Sequence, residues 1–432
     1  TTQIINRLKR HFGDKVGIYH SRFNQNERVE IWNRVLYPSQ VSYDIILGAR
    51  SAVFLPVQDL GLVIVDEEHE GSFKQYDPAP RYHARDAAIV LANMQGAKVL
   101  LGSATPAVET TYNAEVGKFG RVMLTKRYGG GQLPEILVAD VRKAQRRKEM
   151  KSLFSPMLLE AMEKAFEQDE QVILFQNRRG FSPYVICEDC GWNPECQRCD
   201  VGLTYHKYQQ RLRCHYCGFA QPMPKTCLAC GSNRLTLQGF GTEKIEEELA
   251  IFFPDIKVAR MDLDTTRSRH SYQRIIHEFE SRVIDVLVGT QMVTKGLDFD
   301  NVGLVGIMSA DSLLSFPDFR AFERSYQLMT QVAGRAGRSQ KRGKVIIQTY
   351  NPHHRVIRQV VDHDYEALYK DEILERRNFH YPPFHRMIRI TLKHRDVEKV
   401  NHAAAYLARL LRTVFGERVL GPEFPLVARM RN

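Results

Sequence analysis

Along most of the chain, apolar positions recur at helical spacing and then close up into short continuous runs, one pattern after the other. The spacing predicts helices over Ile4 to Phe12, Asn26 to Leu36 and Arg85 to Met94. The runs predict strands at Lys15 to Tyr19, Asp44 to Leu47, Leu60 to Val65 and Lys98 to Leu101. That alternation is the rhythm of a parallel α/β sheet. Gly129 to Gly131, with Pro134 close behind, break it and mark a linker. A second series follows, with helices over Met157 to Glu167 and Glu243 to Phe252 and strands at Gln171 to Phe175, Lys257 to Met261, Val283 to Val288 and Val345 to Thr349. The fold class is therefore α/β with two tandem parallel-sheet lobes. The first takes residues 1–128, the linker 129–133, and the second 134–186 and 236–350, interrupted by an insertion at 187–235. Residues 351–432 read as a small α+β appendage, in which helices over Val356 to Arg376 and Lys399 to Phe415 flank a strand at Met387 to Leu392.

Composition narrows the classes. With 432 residues, 43% hydrophobic and 26% charged, the chain is long enough for several buried cores and is neither collagen-like nor disordered. No apolar run approaches the ~18 residues of a membrane-spanning helix; Leu60 to Val65 and Val302 to Met308 are strand-sized. The net charge of +11 favours a polyanionic partner, nucleic acid first. Thr1 to Gln3 run straight into a helical pattern without an initiator Met, and Arg429 to Asn432 end without a helix stop, so the sequence is expected to be cut from something longer.

All eight cysteines fall between Cys187 and Cys230, in four C-x-x-C pairs: Cys187/Cys190, Cys196/Cys199, Cys214/Cys217 and Cys227/Cys230. Each pair is a knuckle presenting two thiolates, and two knuckles complete a tetrahedral Cys₄ zinc site, so eight ligands imply two structural zinc ions. The spacing between Cys199 and Cys214 suits a zinc ribbon. It suggests a nested order in which Cys196, Cys199, Cys214 and Cys217 hold one ion and Cys187, Cys190, Cys227 and Cys230 the other. An alternating order, first knuckle with third and second with fourth, is its rival. Disulfides are the further alternative; nothing in the chain points to an oxidising compartment. Trp192, Tyr205, His206, Lys207, Tyr208, Arg211, Arg213, His215 and Tyr216, interleaved with the cysteines, are the residue types that grip a nucleic-acid strand and equally those that fill a mini-core.

Leu60 to Val65 reads as a strand buried on both faces, delivering Asp66, Glu67, Glu68 and His69 at its carboxyl end, where open sheets bind ligands. Adjacent carboxylates there can divide the work of a nucleotide hydrolase, Asp66 toward Mg²⁺ and Glu67 toward the attacking water. An acidic strand end is also commonly a solvated loop. Gly102 to Pro106 (GSATP) follow the next strand, and Gly289, Thr290 and Gln291, then Lys295, Gly296 and Asp298, follow a strand of the second lobe. Gln331 to Arg338 (QVAGRAGR) place Arg335 and Arg338 three apart, sharing a face of a helical turn from which guanidinium groups could reach a γ-phosphate.

Taken in order, Gly48 to Ser51, DEEH at Asp66 to His69, GSATP, NRRGF at Asn177 to Phe181, GTQMVTKGLDF at Gly289 to Phe299 and QVAGRAGR resemble superfamily 2 helicases. The cysteine insertion just after NRRGF narrows the resemblance to the primosomal protein N′ (PriA) family of replication-restart helicases. The resemblance implies RecA-like lobes and a bacterial, cytoplasmic, ATP-driven enzyme that moves 3′→5′ on DNA. It implies recognition of stalled forks and primosome assembly, with forked or single-stranded DNA, helicase-loader proteins and single-stranded-DNA-binding protein as partners. It further implies that Asp66, Glu67, His69, Gln331, Arg335 and Arg338 act on ATP and Mg²⁺, that Arg50, Ser51, Phe73, Tyr76, Tyr82, Arg85, Thr290 and Lys295 contact DNA, and that the insertion holds two zinc ions. The chain departs from the family in having Pro80 where relatives often carry a tryptophan before the Arg-Tyr-His-Ala-Arg-Asp string, which leaves Phe73, Tyr76 or Tyr82 for stacking.

A P-loop, G-x-x-x-x-G-K-[ST], is absent from the sequence; Lys118 and Lys344, which follow glycines, lead into Phe119 and Val345. The family places that loop upstream, so this polypeptide is expected to bind nucleotide poorly and not to turn it over. Two other classes stay open: a non-catalytic zinc-ribbon adaptor, and a DExH translocase acting on RNA.

Overall fold

The structure is a computed structural model that describes residues 2–20, 23–37, 43–126, 132–177, 184–198, 201–206, 211–214, 217–238, 241–262, 265, 269–293, 299–337 and 342–424. The chain divides into two compact units, Thr1–Thr111 and Tyr112–Asn432. The division lies upstream of the expected 129–133 linker. Tyr112 packs edge-on against Phe384 at 5.2 Å, and Glu115 and Arg121 reach Tyr369 and Glu366, so this stretch belongs with the C-terminal residues. Gly129 to Gly131 lie outside the described residues.

The first unit runs α1 (Thr2–Phe12), β1 (Val16–Tyr19), α2 (Gln25–Leu36), β2 (Ile45–Gly48), β3 (Leu62–Asp66), α3 (Ala84–Met94), β4 (Lys98–Gly102) and into α4 (Val108–Glu115). A capping box starts α2: Asn24 Oδ1 accepts the Glu27 amide while the Glu27 carboxylate accepts the Asn24 amide. β1 pairs with β2 and β3 with β4, both in parallel. The expectation that β3 is buried on both faces fails: Leu62 and Ile64 are 52% and 63% exposed, Leu100 on β4 is 56% exposed, and Val65 alone of β3 is buried. A helix, α3, packs on one side through the small residues Ala84, Ala88 and Ala92, and no described residue covers the other.

The second unit contains β5 (Glu135–Asp140), α5 (Val141–Arg146), α6 (Pro156–Glu167) and β6 (Gln171–Phe175). It then makes the insertion strands β7 (Tyr184–Cys187), β8 (Thr204–His206), β9 (Arg211–Arg213), β10 (Ala220–Pro222) and β11 (Leu235–Gln238). There follow α7 (Thr242–Phe252), β12 (Val258–Met261), α8 (Arg269–Glu280), β13 (Val286–Gly289), β14 (Val302–Ile307), α9 (Asp311–Leu314), α10 (Ala321–Ala333), β15 (Lys344–Thr349), α11 (Arg355–Val361), α12 (Tyr365–Asn378) and α13 (Val397–Phe415). Six parallel strands form the main sheet in the order β12-β13-β6-β14-β15-β5. Its centre explains the continuous apolar run at Gln171 to Phe175. Ile173 and Phe175 pack on one face with Phe279, Tyr326 and Val332, and Val172 and Leu174 on the other with Leu158, Met162 and Leu249.

Two C-terminal expectations change. The single helix over Val356 to Arg376 is two, because His363 adopts φ +54° and Asp364 caps α12 by accepting the Ala367 amide at 2.9 Å. The strand at Met387 to Leu392 does not form: a strand needs a hydrogen-bonding neighbour, none is present among the described residues, and Ile388 is 88% exposed. No helix of the described residues is long and apolar enough to cross a membrane.

Candidate functional site

In the insertion, β7 and β11 pair antiparallel, setting Cys187 opposite Leu235 and bringing the first and last knuckles together; β8, β9 and β10 form a separate antiparallel sheet. The sulfurs of Cys187, Cys190, Cys227 and Cys230 lie within 4.8 Å of one another, and so do those of Cys196, Cys214 and Cys217. This is the nested order. Cys199 lies outside the described residues. Sulfur-to-sulfur distances are 3.7 Å for Cys187 and Cys230, 3.5 Å for Cys190 and Cys227, and 3.7 Å for Cys196 and Cys217. A disulfide is about 2.05 Å, whereas a tetrahedron with Zn–S bonds of about 2.3 Å has edges of about 3.8 Å. The donor set therefore fits a metal and excludes cystines within these clusters. Cys196 and Cys214 also belong to the insertion's small core, with Val185, Val201, Leu203 and Leu212. A zinc ion there would anchor the only apolar cluster this short-stranded segment builds among the described residues.

The outer knuckle is fastened to the lobe. Gly191, next to Cys190, has φ +75°, and a Cβ on it would come 2.6 Å from the Tyr350 carbonyl oxygen just past β15, so glycine is required on both counts. Asp189, inside the same knuckle, meets Arg234 and the Ser232 hydroxyl and accepts from Arg146 of α5 at 3.2 Å. These partners, Arg234 foremost, hold its carboxyl well below the usual range.

In the first unit, β3 carries Asp66 exposed at its end, and Asp66 Oδ1 accepts the Glu67 amide at 3.1 Å. Glu67 sits at φ +50°, a left-handed conformation that costs a non-glycine residue on the order of 1 kcal/mol; such strain is retained where the neighbouring chain imposes it. What imposes it is the next pair of residues. Glu68 is buried and accepts from the Ala107 amide (2.7 Å), Thr110 Oγ1 (2.8 Å) and Arg85 Nη1 (2.7 Å), while His69 Nδ1 shares a 2.7 Å hydrogen bond with Ser103 Oγ. DEEH and GSATP are thus one bonded unit across β3 and β4.

Several residues expected to touch DNA have other partners. Arg85 pairs with Glu68. Arg50 donates to the Ser72 and Lys74 carbonyls at 3.4 and 3.0 Å, pinning the loop that holds Phe73 and Tyr76. Tyr82 packs edge-on against Phe54 at 4.6 Å, Phe73 lies near His83, and Tyr76 is 66% exposed. Ser51 is part of the short turn Arg50–Phe54. Thr290 is buried at the end of β13; Lys295, Gly296 and Asp298 lie outside the described residues.

Gln331 lies in the last turn of α10, while the expectation that Arg335 and Arg338 share a helical face falls partly outside the described residues. The helix ends at Ala333, so Arg335 lies in the turn beyond it, and Arg338 lies outside the described residues. Gly337, in the same motif, has φ +71° and touches Gly343, leaving no room for a side chain. The other end of α10 holds a cluster that sequence reasoning missed, because Arg320, Glu323 and Arg324 look like ordinary surface charges. Glu323 and Arg376 are buried and pair at 2.7 Å, Glu372 lies 3.4 Å from Arg376, and Phe319 stacks on Tyr381 at 4.5 Å beneath both Arg320 and Arg376. Phe319 also packs on the insertion's core.

Burial pushes Glu372 up to about 8; Arg376 and Arg355 oppose the shift, while Glu323 and Glu375 add to it. Arg376 thus lies between two carboxylates, nearer to Glu323, which Arg320 also approaches at 3.4 Å. Because the folded state retains a proton that the unfolded chain releases, stability should fall as pH rises between 4.5 and about 8 and level off above. Glu372→Gln should flatten that slope, as read by urea titrations at stepped pH; an unchanged slope would show that Glu372 is not the proton carrier.

Comparison with known proteins accords with these features. The profile of the PriA DNA helicase Cys-rich region (CRR) domain matches residues 196–222, and that of the helicase conserved C-terminal domain matches residues 224–340. Replication restart protein PriA of Bacillus subtilis (strain 168) is 42% identical over 434 residues, covering 100% of this chain and 53% of that protein. The protein of the same name from Synechocystis is 40% identical, covering 98% of this chain and 52% of its own length, and that of Rickettsia felis is 36% identical, covering 100% and 65%. The chain spans about half the length of the first two. Two thiol clusters in a strand-paired insertion, a six-stranded parallel sheet around it, and similarity along the whole sequence lead to one conclusion: the chain belongs to the PriA family of replication restart helicases.

Proposed function

We propose that the chain is the motor and zinc-binding part of an ATP-driven helicase that moves 3′→5′ on DNA and restarts stalled replication forks by opening them for primosome assembly. The observation that carries this is the DEEH segment. Asp66 is exposed at a strand's carboxyl end, Glu67 is held in an uncommon backbone conformation, and His69 is bonded to Ser103 of GSATP. A solvated acidic loop has no reason to be constrained in this way. Asp66 and Glu67 would hold Mg²⁺, which supplies charge neutralisation on the triphosphate. Glu67 would orient the attacking water, and Gln331, Arg335 and Arg338 would meet the phosphates. The His69–Ser103 bond gives a strand-bound state a path to the carboxylates through Gly102 to Pro106.

The two zinc ions are structural, since four thiolates leave no open coordination position. Forked and single-stranded DNA, helicase-loader proteins and single-stranded-DNA-binding protein are the proposed partners, in a bacterial cytoplasm. With no G-x-x-x-x-G-K-[ST] in its sequence, this polypeptide by itself is proposed not to turn over ATP.

The experiment compares this chain with a version that carries a P-loop region upstream, measuring ATP hydrolysis with forked DNA and with RNA. The longer protein should be stimulated by DNA, and Glu67→Gln should remove the stimulated rate by about 10²-fold or more, the scale of a lost water-positioning group. Stimulation by RNA alone would replace this reading with an RNA translocase. Hydrolysis by the present chain that Glu67→Gln abolishes would overturn its proposed inactivity.

A further inference from the structure

The cleft between the insertion and the lobe, about 520 Å³ in volume, is within the range of about 300–1,000 Å³ typical of ligand sites. On the insertion side it is lined by Trp192, Asn193, Gln197 and Gln221, and on the lobe side by Phe322 and His354. We propose that this cleft receives unpaired nucleobases of a DNA strand, with Trp192 as the stacking face and the side-chain amides as readers of base edges.

The chemistry of the lining selects a base over a phosphate. No lysine or arginine lines the cleft among the described residues, although the chain carries a net charge of +11, and the carboxylates that do line it, Glu195 and Asp311, repel anions. His354 is neutral as well: burial first, then Arg355 and Arg358, pull it down to about 4. What remains is aromatic surface and amides. A base offers a π-face and a hydrogen-bonding edge to such a lining, and stacking of this kind tolerates any sequence. Asn193 Oδ1 is buried and accepts no hydrogen bond. Asn193 lines the cleft, so a turn of its side chain would present this unused acceptor to the exocyclic amine of adenine, cytosine or guanine, or to the ring N–H of thymine.

The walls are built to stay in place. Trp192 follows Gly191, which lies flush on the Tyr350 carbonyl, and the Trp192 carbonyl accepts the Cys187 amide at 2.9 Å, so the outer thiol cluster sets the indole's backbone. Across the cleft, Phe322 is held edge-on by His354 at 5.2 Å and covered by the Arg355 guanidinium at 4.9 Å. A peptide could also use the amides, but an acidic one would meet the same two carboxylates. The overall positive charge, in contrast, brings a polyanionic strand to the surface whose bases are free to turn inward.

This assignment rests on the reading that DNA is the partner, and the test separates the two. The chain has two tryptophans, Trp32 and Trp192, so Trp32→Phe leaves Trp192 as the single indole reporter. The zinc-loaded protein is titrated with a short single-stranded DNA and with a strand of equal length and charge whose central positions are abasic. The base-bearing strand should quench Trp192 emission and bind about ten-fold more tightly than the abasic one. With dye-labelled strands, Trp192→Ala should bring that ratio toward one, and Trp192→Phe should keep most of it. Asn193→Leu, which leaves the indole and the thiols in place, should lower the ratio too and decides the matter if Trp192→Ala sheds zinc. Equal affinity for both strands, or a ratio that none of these variants changes, overturns the cleft assignment while leaving DNA as partner. Binding of neither strand overturns the DNA reading and the assignment with it. Quenching of Trp192 by an unstructured peptide, with a strand ratio of one, marks a protein docking surface and also overturns it.

Discussion

Replacing Cys187 and Cys227 together by serine should remove one zinc ion per chain and leave one, whereas replacing Cys187 and Cys214 together should remove both. The first pair shares a cluster and the second is split between clusters. An alternating order of knuckles reverses the two outcomes, so metal content by atomic emission separates the orders without a structure. The stability consequence is large, because a structural zinc site contributes about 10–16 kcal/mol of apparent binding free energy that the metal-free segment must do without. The inner site matters more for folding. Cys196 and Cys214 are members of the insertion's small core, whereas Cys187 and Cys227 of the outer site, though buried, are not part of it. Cys214→Ser should therefore unfold the insertion, read as rapid proteolysis between 187 and 235. The six-stranded sheet, which has apolar clusters on both faces, should survive. Loss of the whole second unit with Cys214→Ser would show that the insertion is not an independent appendage.

The second large effect is expected at Arg376. It is 1% exposed, Glu323 is 3% exposed, and the pair is buried where α10, α12 and the segment before α10 meet. Arg376→Met should destabilise the second unit by about 3 kcal/mol, because it leaves the buried Glu323 carboxylate with only the partly exposed Arg320, 3.4 Å away, as a cation. Arg376→Met combined with Glu323→Leu should recover most of the loss. An apolar pair of similar volume avoids the desolvation of both charges, and denaturant titration of the single and double variants measures the difference. A double variant as weak as the single would assign the loss to packing around Phe319 instead. The position has functional weight: α10 ends beside Gln331 and Arg335, and Phe319 touches the insertion's core. The cluster thereby joins the zinc-held segment to the helix that leads into the arginine motif.

Much of the chemistry was legible in the order of residues. The C-x-x-C pairs announced clusters of thiols fit for zinc, and the run at Gln171 to Phe175 announced a central parallel strand. The resemblance of DEEH, GSATP and QVAGRAGR to one helicase family rested on short segments, and local sequence is enough to specify short segments. The misreadings share a different cause. Leu60 to Val65 has the apolarity of a fully buried strand, but burial belongs to the neighbours, and the described chain covers only one face of β3. Met387 to Leu392 alternates like a strand and forms none, since a ladder needs a partner. For Arg85 and Arg50 the fold adds partners that no local pattern announces, a buried carboxylate for one and two loop carbonyls for the other.

What sequence alone determined, then, is whatever a few adjacent residues can specify: ligand type and spacing, helix and strand period, and an acidic strand end. Tertiary structure decided the pairings between distant segments. Strand pairing of β7 with β11 joined the first knuckle to the last, a buried ion pair bound α10 to α12, and the gap between insertion and lobe became a cleft lined by aromatic rings, amides and two carboxylates. The physical reason is that burial and desolvation depend on which surfaces meet. An arginine on a helix has the same local signature whether it faces water or a buried glutamate, and only the packed chain distinguishes them.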